Sequence, residues 1–274
     1  MTLENAMLVF SKDWREIRRN WQVIGPLVIV PMLIAIMLPL VIILIPTLIT
    51  IPGTSLNIPV TMFENLPLEV KLEIAGMNIS QQMTYVFLLY FFAPFFLIIP
   101  IMASSVLASD SFAGEKDRKT IEALLATPLT DGELLLGKIL VSFIPSMLVT
   151  ILAFTVYSAV VDVAAFTLFG GRILLPNLLW LVLIFCVTPA VSLAGIGITV
   201  IVSVKVKGFR EAQQLSALLV LPIMLLIFSE LGGLIMFGPI MLALLIAGFV
   251  VMDLIVFRLG ISIFKREDIL AKSV

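Results

Sequence analysis

The chain contains no histidine, the side chain that most often transfers protons near neutral pH and ligates zinc. Its one cysteine, Cys186, lies in an apolar run and has no second cysteine with which to form an internal disulfide. Charged residues make up only 13% of the 274 residues, whereas an average soluble domain has about 25%. These absences exclude histidine-based catalysis and histidine metal sites.

The chain contains long apolar runs, and hydrophobic residues make up 61% of it. A helix that crosses a bilayer needs roughly 20 mostly apolar residues. Six runs reach this length, at about 22–49, 84–108, 139–161, 175–203, 212–229 and 238–257. The fifth is short and precedes Ser229-Glu230-Leu231-Gly232-Gly233, so a re-entrant element at 229–238 is an open alternative to a simple turn. We predict an all-α integral membrane protein forming a single transmembrane domain, 1–274.

The basic residues are distributed unevenly among the connections between these runs. Fifteen of the 17 lie in the N-terminal segment, the second-to-third connection, the fourth-to-fifth connection and the C-terminal tail. Only Lys71 and Arg172 fall in the alternate loops. Because basic loops remain on the cytoplasmic side, we predict a multi-pass protein of the cell membrane with both termini in the cytoplasm.

Residues 1–20 precede the first apolar run and have a helical pattern of their own. One face is apolar, with spacings of three and four residues, and comprises Leu3, Met7, Phe10, Trp14, Ile17 and Trp21. The other face is charged and comprises Lys12, Asp13, Arg15, Glu16, Arg18 and Arg19. This pattern predicts an amphipathic interfacial helix that anchors the first span, and it is also compatible with docking of a partner.

A stretch beginning at Gly132 and ending at Lys138 has the G-x-x-x-x-G-K spacing of a phosphate-binding loop. However, Ile139 stands where such a loop needs a hydroxyl for magnesium, and three leucines fill the space between the glycines. Thr130 and Glu133 have instead the spacing of a helix capping box, flanked by Leu129 and Leu134 as a hydrophobic staple. We therefore predict that a helix begins at Thr130 and that this stretch does not bind nucleotide.

A second, shorter amphipathic helix is predicted just upstream. Ile121, Leu124 and Leu125 recur at helical spacing, and Pro128 ends the pattern. Charged residues surround this apolar face, namely Lys116, Asp117, Arg118, Lys119 and Glu122. A helix of about ten residues is not stable alone, so it must pack against something, and its mixed charges favour a protein over anionic lipid.

The segment FAGEKDRKTIEALLATPLTDGELLLGK, from Phe112 to Lys138, resembles the cytoplasmic signature of the membrane subunits of type-two ABC exporters. The matching residues are Glu115, Arg118, Thr120, Glu122, Leu124, Leu125, Thr127, Pro128, Gly137 and Lys138. The second inner loop, KVKGFREAQQLSALLVLP, is also similar. The six-span plan and the N-terminal helix extend the resemblance to the whole chain.

The resemblance implies that 110–138 is a cytoplasmic segment whose short helix couples the spans to a separate ABC ATPase. The residues implied in this coupling are Glu115, Lys116, Arg118, Lys119, Thr120, Ile121, Glu122, Leu124, Leu125, Thr127 and Pro128, with Lys207, Arg210 and Gln213 in the second inner loop. It further implies a homodimer or heterodimer of such subunits in contact with membrane lipid. ATP and magnesium belong to the ATPase, so this chain is expected to have no cofactor, metal, catalytic site or nucleic-acid partner of its own.

Other functions remain open on the residues alone. An ABC-type subunit that couples ATP hydrolysis to a process other than transport would have the same sequence features. A single-chain secondary transporter or channel often has ionisable residues at the bilayer midplane. Asp162, Glu230 and Asp253 lie near span ends instead. An intramembrane enzyme has no motif here, and the substrate is not indicated.

Overall fold

The computed structural model describes residues 3–49, 66–118, 120, 129–206, 208–231 and 237–263, and these ranges contain helices and no strand. The α-helices are α1 (Leu3–Arg19), α2 (Trp21–Ile49), α3 (Leu68–Ile74), α4 (Ile79–Val86), α5 (Ile98–Asp117), α6 (Asp131–Ala165), α7 (Leu178–Val182), α8 (Thr188–Lys205), α9 (Phe209–Ala217), α10 (Leu221–Leu231) and α11 (Pro239–Ile263). Short 3-10 and π segments join α4 to α5, α7 to α8 and α9 to α10.

Within the described residues, six helical stretches are long and apolar enough to cross a membrane, which confirms the predicted all-α six-span plan. Spans 1 to 6 are Trp21–Leu44, Ile79–Asp117, Asp131–Ala165, Leu178–Lys205, Phe209–Glu230 and Pro239–Leu259. Spans 2, 3 and 4 form the centre of the bundle. In the most apolar 18-residue stretch of each span, 72%, 44% and 56% of the residues are buried, respectively. The corresponding values for spans 1, 5 and 6 are 22%, 22% and 11%, so these spans present most of their apolar surface outward.

Capping residues explain why two spans begin earlier than their apolar runs. Thr130 and Glu133 form the predicted capping box: the N–H of Glu133 donates to Thr130 Oγ1 at 3.3 Å, and the N–H of Thr130 donates to Glu133 Oε2 at 3.0 Å. Asn78 and Gln81 form a second box at the start of span 2. Each box satisfies backbone donors that a helix start leaves unpaired, so the helix extends beyond its apolar part.

An aromatic group around Trp180 holds spans 2, 3 and 4 together. Pro94 interrupts span 2 and has no N–H with which to bond a carbonyl in the turn before it. In the π segment Phe87–Phe91 that precedes it, two carbonyls accept side-chain donors: Tyr157 donates its hydroxyl to Leu88 O at 2.7 Å, and Trp180 Nε1 donates to Leu89 O at 2.9 Å. Tyr157 also stacks on Trp180, with ring centroids 5.1 Å apart. Each buried polar tip is thereby satisfied.

The re-entrant element at 229–238 stays a prediction, because 232–236 lie outside the described residues. The flanking residues show that span 5 is helical to its end and that Phe237 lies close to it. Glu230 is buried, and its Oε1 accepts a hydrogen bond of 3.1 Å from the Phe237 N–H. The connection between spans 5 and 6 is therefore held at its two described ends.

Candidate coupling site at the basic end of the helices

Four charged side chains meet where α1, the end of α5 and the start of α6 come together. This ionic cluster consists of Lys12 and Asp13 from α1, Glu115 from α5 and Lys138 from α6. Glu115 receives both lysines, with 2.6 Å between Lys138 Nζ and Oε2 and 2.8 Å between Lys12 Nζ and Oε1. Asp13 also faces both, with Lys12 Nζ at 3.0 Å and Lys138 Nζ at 3.6 Å. Ser111 completes the site, because its hydroxyl donates to Asp13 at 3.0 Å and its carbonyl accepts from Lys138 Nζ.

Three members of the ionic cluster are almost fully buried. The side chains of Glu115, Lys138 and Asp13 are 2%, 3% and 5% exposed. Burying a charge is unfavourable unless it is paired, and here two carboxylates balance two ammonium groups. Removing one partner of a buried pair typically costs about 3–5 kcal/mol, since the other charge is left uncompensated. The ionic cluster therefore couples the position of α1 to the positions of spans 2 and 3.

Lys12 is the member of the ionic cluster that reaches solvent. Burial by itself lowers the pKa of Lys12, but hydrogen bonds and charge attraction from Glu115 and Asp13 outweigh it and raise the pKa above the ordinary lysine value. Lys12 is therefore charged throughout the physiological pH range.

Gly137 permits the close approach of α1 to α6. A Cβ placed on Gly137 would lie 2.6 Å from Val9 Cβ and 2.7 Å from the carbonyl oxygen of Ala6. No residue larger than glycine fits this helix contact without a shift of backbone. Gly137 and Lys138, which gave the segment its resemblance to a phosphate loop, thus have structural roles inside a capped helix.

The end of span 2 also binds the connection between spans 4 and 5. Lys116 Nζ donates to Ser203 O at 2.6 Å and to Val204 O at 3.3 Å. Asp117 Oδ2 accepts from the Phe209 N–H at 2.8 Å, and a Cβ on Gly208 would lie 2.1 Å from Asp117 Oδ1. Direct hydrogen bonds therefore join the end of span 2 to the connection between spans 4 and 5.

Arg118 closes α5 and provides a further link to α1. Its guanidinium lies 3.1 Å from Asp110 Oδ1 and 3.2 Å from Glu16 Oε1. Burial lowers the pKa of Arg118, but Asp110 and Glu16 outweigh it and raise the pKa above its ordinary value. The pair with Glu16 is partly exposed and contributes less than the buried ionic cluster.

Comparison with known protein families places the chain in one of them. A model of the family described as ABC-2 family transporter protein matches residues 7–240. The chain belongs to the ABC-2 transporter family. It is a multi-pass ABC transporter permease subunit, of a family that generally works with a cytoplasmic ATPase. No curated protein sequence matches the permease significantly.

The predicted coupling residues fall into two groups in the permease. Glu115, Lys116, Arg118 and Thr120 are described, as are Arg210 and Gln213 on α9. Residues outside the described ranges are Lys119, Ile121, Glu122, Leu124, Leu125, Thr127, Pro128 and Lys207. The helical conformation of 121–126 and its contact with an ATPase therefore stay predictions.

One boundary in the coupling segment requires correction. Lys116 and Asp117 were predicted on a separate short helix, but α5 continues without a break to Asp117 and Arg118 is its C-terminal cap. The helix extends this far because the carboxylates of Asp110 and Glu115, which look like loop residues by hydropathy, are paired and buried. The Glu115 carboxylate is thus buried within the permease, and its predicted role in coupling to an ATPase stays a prediction.

The interfacial position of α1 stays a prediction, but the structure shows a packing stripe that lies between the two predicted faces. The stripe that packs on the permease consists of Ala6, Val9, Asp13 and Ile17, whereas Leu3 and Met7 of the predicted apolar face are 71% and 47% exposed. The helix has three faces: one for the bundle, one apolar and open, and one charged. Lys12 and Asp13 were missed as site residues because a two-face pattern places them in solvent. Ala6 and Val9 lie on the same stripe as Asp13, and their apolar side chains were the sequence feature that could have indicated this packing.

Proposed function

We propose that this permease is the membrane subunit of an ATP-driven exporter and moves a substrate across the membrane when paired with a separate cytoplasmic ATPase. ATP and magnesium are held by that partner. The basic end of the helices lies in the cytoplasm, in agreement with the distribution of 15 of the 17 basic residues. The observation that carries the proposal is the ionic cluster, which joins three elements around the segment expected to meet the ATPase.

The residues on either side of the segment expected to meet the ATPase determine how a displacement of that segment reaches the membrane spans. Arg118 precedes it on the end of span 2, and Thr130 follows it at the start of span 3. Glu115 and Lys138 bind these two spans to each other and, through Lys12 and Asp13, to α1. A displacement of the segment therefore moves both spans together rather than bending one connection.

A displacement of the ionic cluster also reaches two other parts of the permease. Asn20 is the single residue between α1 and span 1, so a shift of α1 reaches span 1 directly. Lys116 and Asp117 transfer the shift to the connection between spans 4 and 5. We assign Glu115, Lys116 and Lys138 as positioning residues, and Glu122 with its neighbours as the residues that touch the ATPase.

A complete exporter requires a second permease, identical or similar, beside this one. Spans 1, 5 and 6 support such an assembly, because they leave large apolar surfaces open. Apolar surface in a bilayer contacts lipid or packs on another helix with no hydrophobic penalty for either. The substrate path then runs between two permeases, as the resemblance to exporters implies.

The proposal is tested with the full chain in its native membrane. The affinity-tagged permease is purified, its co-purifying proteins are identified, and the complex is reconstituted in vesicles. We expect an ABC ATPase at a one-to-one ratio, ATP hydrolysis by the complex and none by the permease alone. Recovery without any ATPase would contradict the proposal. ATP-dependent solute movement in the vesicles separates an exporter from a subunit that drives another process.

A further inference from the structure

A cavity of about 790 Å³ opens at the end of the bundle opposite the ionic cluster. It lies between α3, the connection from α6 to α7, and the first turns of α11. One wall is polar and aromatic, and the facing wall is apolar. Binding sites for small molecules commonly have this size and combine an apolar lining with a few placed polar groups.

The polar wall centres on the carboxylate of Glu73. Its Oε2 accepts hydrogen bonds from the hydroxyls of Tyr85 at 2.8 Å and Tyr90 at 3.4 Å. The ring centroid of Tyr85 lies 6.4 Å from that of Tyr90 and 6.1 Å from that of Phe169. Glu69, one helical turn from Glu73 on α3, lines the same cavity. Two carboxylates and three aromatic rings thus line one wall.

The connection from α6 to α7 is shaped to complete this wall. Gly170 and Gly171 have φ values of 62° and 85°, in the left-handed region that favours glycine, and reverse the chain after Phe169. Asp162 Oδ1 then accepts the N–H groups of Leu174 at 2.9 Å and Leu175 at 3.1 Å. The reversal brings Phe169 and Arg172 to the same cavity.

The apolar wall continues along two spans toward the middle of the bundle. It is formed by Leu178, Leu179 and Val182 from α7 and by Leu242 and Ile246 from α11. This wall contributes no charged side chain. A ligand that fills the cavity therefore needs an apolar chain attached to a polar head group.

We propose that this cavity binds an amphiphile with an ammonium head group. The ammonium lies against Glu73 and the rings of Tyr85, Tyr90 and Phe169, because aromatic faces and a carboxylate both attract an organic cation. The apolar chain extends along α7 and α11. Two carboxylates against one guanidinium give the lining a net negative charge, which favours a cationic head over an anionic one.

Arg172 allows two sources of the same chemistry. Within the described ranges its guanidinium makes no hydrogen bond or ion pair, so it can meet the phosphate of a zwitterionic phospholipid. A free alkylammonium compound uses the Glu73 side of the cavity alone. The site stands apart from ATPase coupling, since it involves none of the ionic cluster.

Photolabelling of the full permease tests the proposal. The probe is a dodecyltrimethylammonium with a photoreactive diazirine in its chain, and the permease is held in nanodiscs of phosphatidylglycerol, which has no ammonium group. We expect labelled residues in α7 and the first turns of α11. Glu73→Gln keeps an acceptor for both tyrosines but removes the charge, and it should lower this labelling by about tenfold or more.

Two further variants control for folding and for general loss of charge. Glu69→Gln changes an exposed side chain on α3 and should lower the labelling by a smaller factor. Glu4→Gln removes a carboxylate at the other end of the bundle and should leave the labelling unchanged. Equal labelling of the wild type, Glu73→Gln and Glu69→Gln would overturn the proposal, as would equal competition by a dodecyl sulfonate.

Added phosphatidylcholine distinguishes the two sources. Loss of labelling as phosphatidylcholine replaces phosphatidylglycerol identifies a bilayer lipid as the ligand, and persistent labelling identifies a free amphiphile. Both results support the ammonium site. Because the measurement uses the permease without an ATPase, its failure leaves the proposed exporter function unaffected.

Discussion

Lys138 and Glu115 form a buried ion pair, with 2.6 Å between Nζ and Oε2, that joins the start of span 3 to the end of span 2. The two residues bracket the segment expected to meet the ATPase. Glu115 contacts two lysines, and Asp13 of α1 is the second carboxylate that balances their charge. A local change in this pair therefore affects three helices.

We expect Lys138→Met to destabilise the permease by about 3–5 kcal/mol, because Glu115 and Asp13 would then share one lysine in a buried site. The double variant Lys138→Met with Glu115→Gln leaves Lys12 and Asp13 in balance and should recover part of the loss. Unfolding by dodecyl sulfate in mixed micelles measures both variants. Additive effects of the two substitutions would show that the pair is not coupled.

We expect Gly137→Ala to displace α1, since the added Cβ would meet Val9 and the Ala6 carbonyl. Overpacking of this kind typically costs about 1–3 kcal/mol. Trypsin cleavage at Arg15 and Arg18 should become faster as α1 detaches. Gly248→Ala on α11 is the matched control, because nothing lies within 4 Å of its added Cβ. Equal cleavage of both variants would contradict the close helix contact.

We expect Glu122→Lys to leave the permease inserted and folded but to reduce ATP-dependent transport sharply. Reversing a charge at a desolvated interface costs several kcal/mol, whereas an exposed pair is worth less than about 1 kcal/mol. Transport and ATP hydrolysis of the reconstituted complex are the measurements. Full transport would show that the segment is only a surface linker.

The control for that experiment follows from the structure. A charge reversal at Lys12 is unsuitable, because Lys12 belongs to the ionic cluster and its reversal would place a third carboxylate there. Arg15 is exposed on the charged face of the same helix. Arg15→Glu should therefore leave transport near its normal level.

The contribution of Lys12 to stability should depend on pH only in the alkaline range. Its pKa is raised by folding, so its contribution is fully present below the unfolded-state pKa of about 10.4 and declines as pH rises from there toward the higher folded-state value. The difference in melting temperature between wild type and Lys12→Gln should be constant from about pH 6 to 9 and shrink above about pH 10.4. A difference that shrinks on acidification between about pH 9 and pH 6 would be inconsistent with this pairing.

Cysteine labelling tests the proposed orientation. In a background with Cys186 replaced, an impermeant thiol reagent added to sealed cells should reach Arg172→Cys and not Lys119→Cys. The reason is that Arg172 and Lys71 are the only basic residues in the predicted outer loops. Labelling at position 119 from outside would reverse the orientation, and with it the side on which an ATPase binds.

Local patterns in the sequence were sufficient for most of the architecture. Six apolar runs specify six spans, because each span satisfies its own backbone hydrogen bonds and needs only length and hydropathy. Thr130 and Glu133 specify the start of span 3, since their capping box is contained within four residues. Span 2 continues past its predicted end at 108, because a hydropathy pattern assigns Asp110 and Glu115 to a loop.

The pairing of charges depended on tertiary structure. The sequence by itself determined the number of spans, the amphipathic N-terminal helix and the family signature around Gly137 and Lys138. Only the tertiary structure shows that Asp13 is buried beside Lys138. It also shows that Glu73 accepts hydrogen bonds from Tyr85 and Tyr90 at the opposite end of the bundle. The physical reason is that a buried charge is tolerated only beside its partner, and the partner of Asp13 lies more than a hundred residues away.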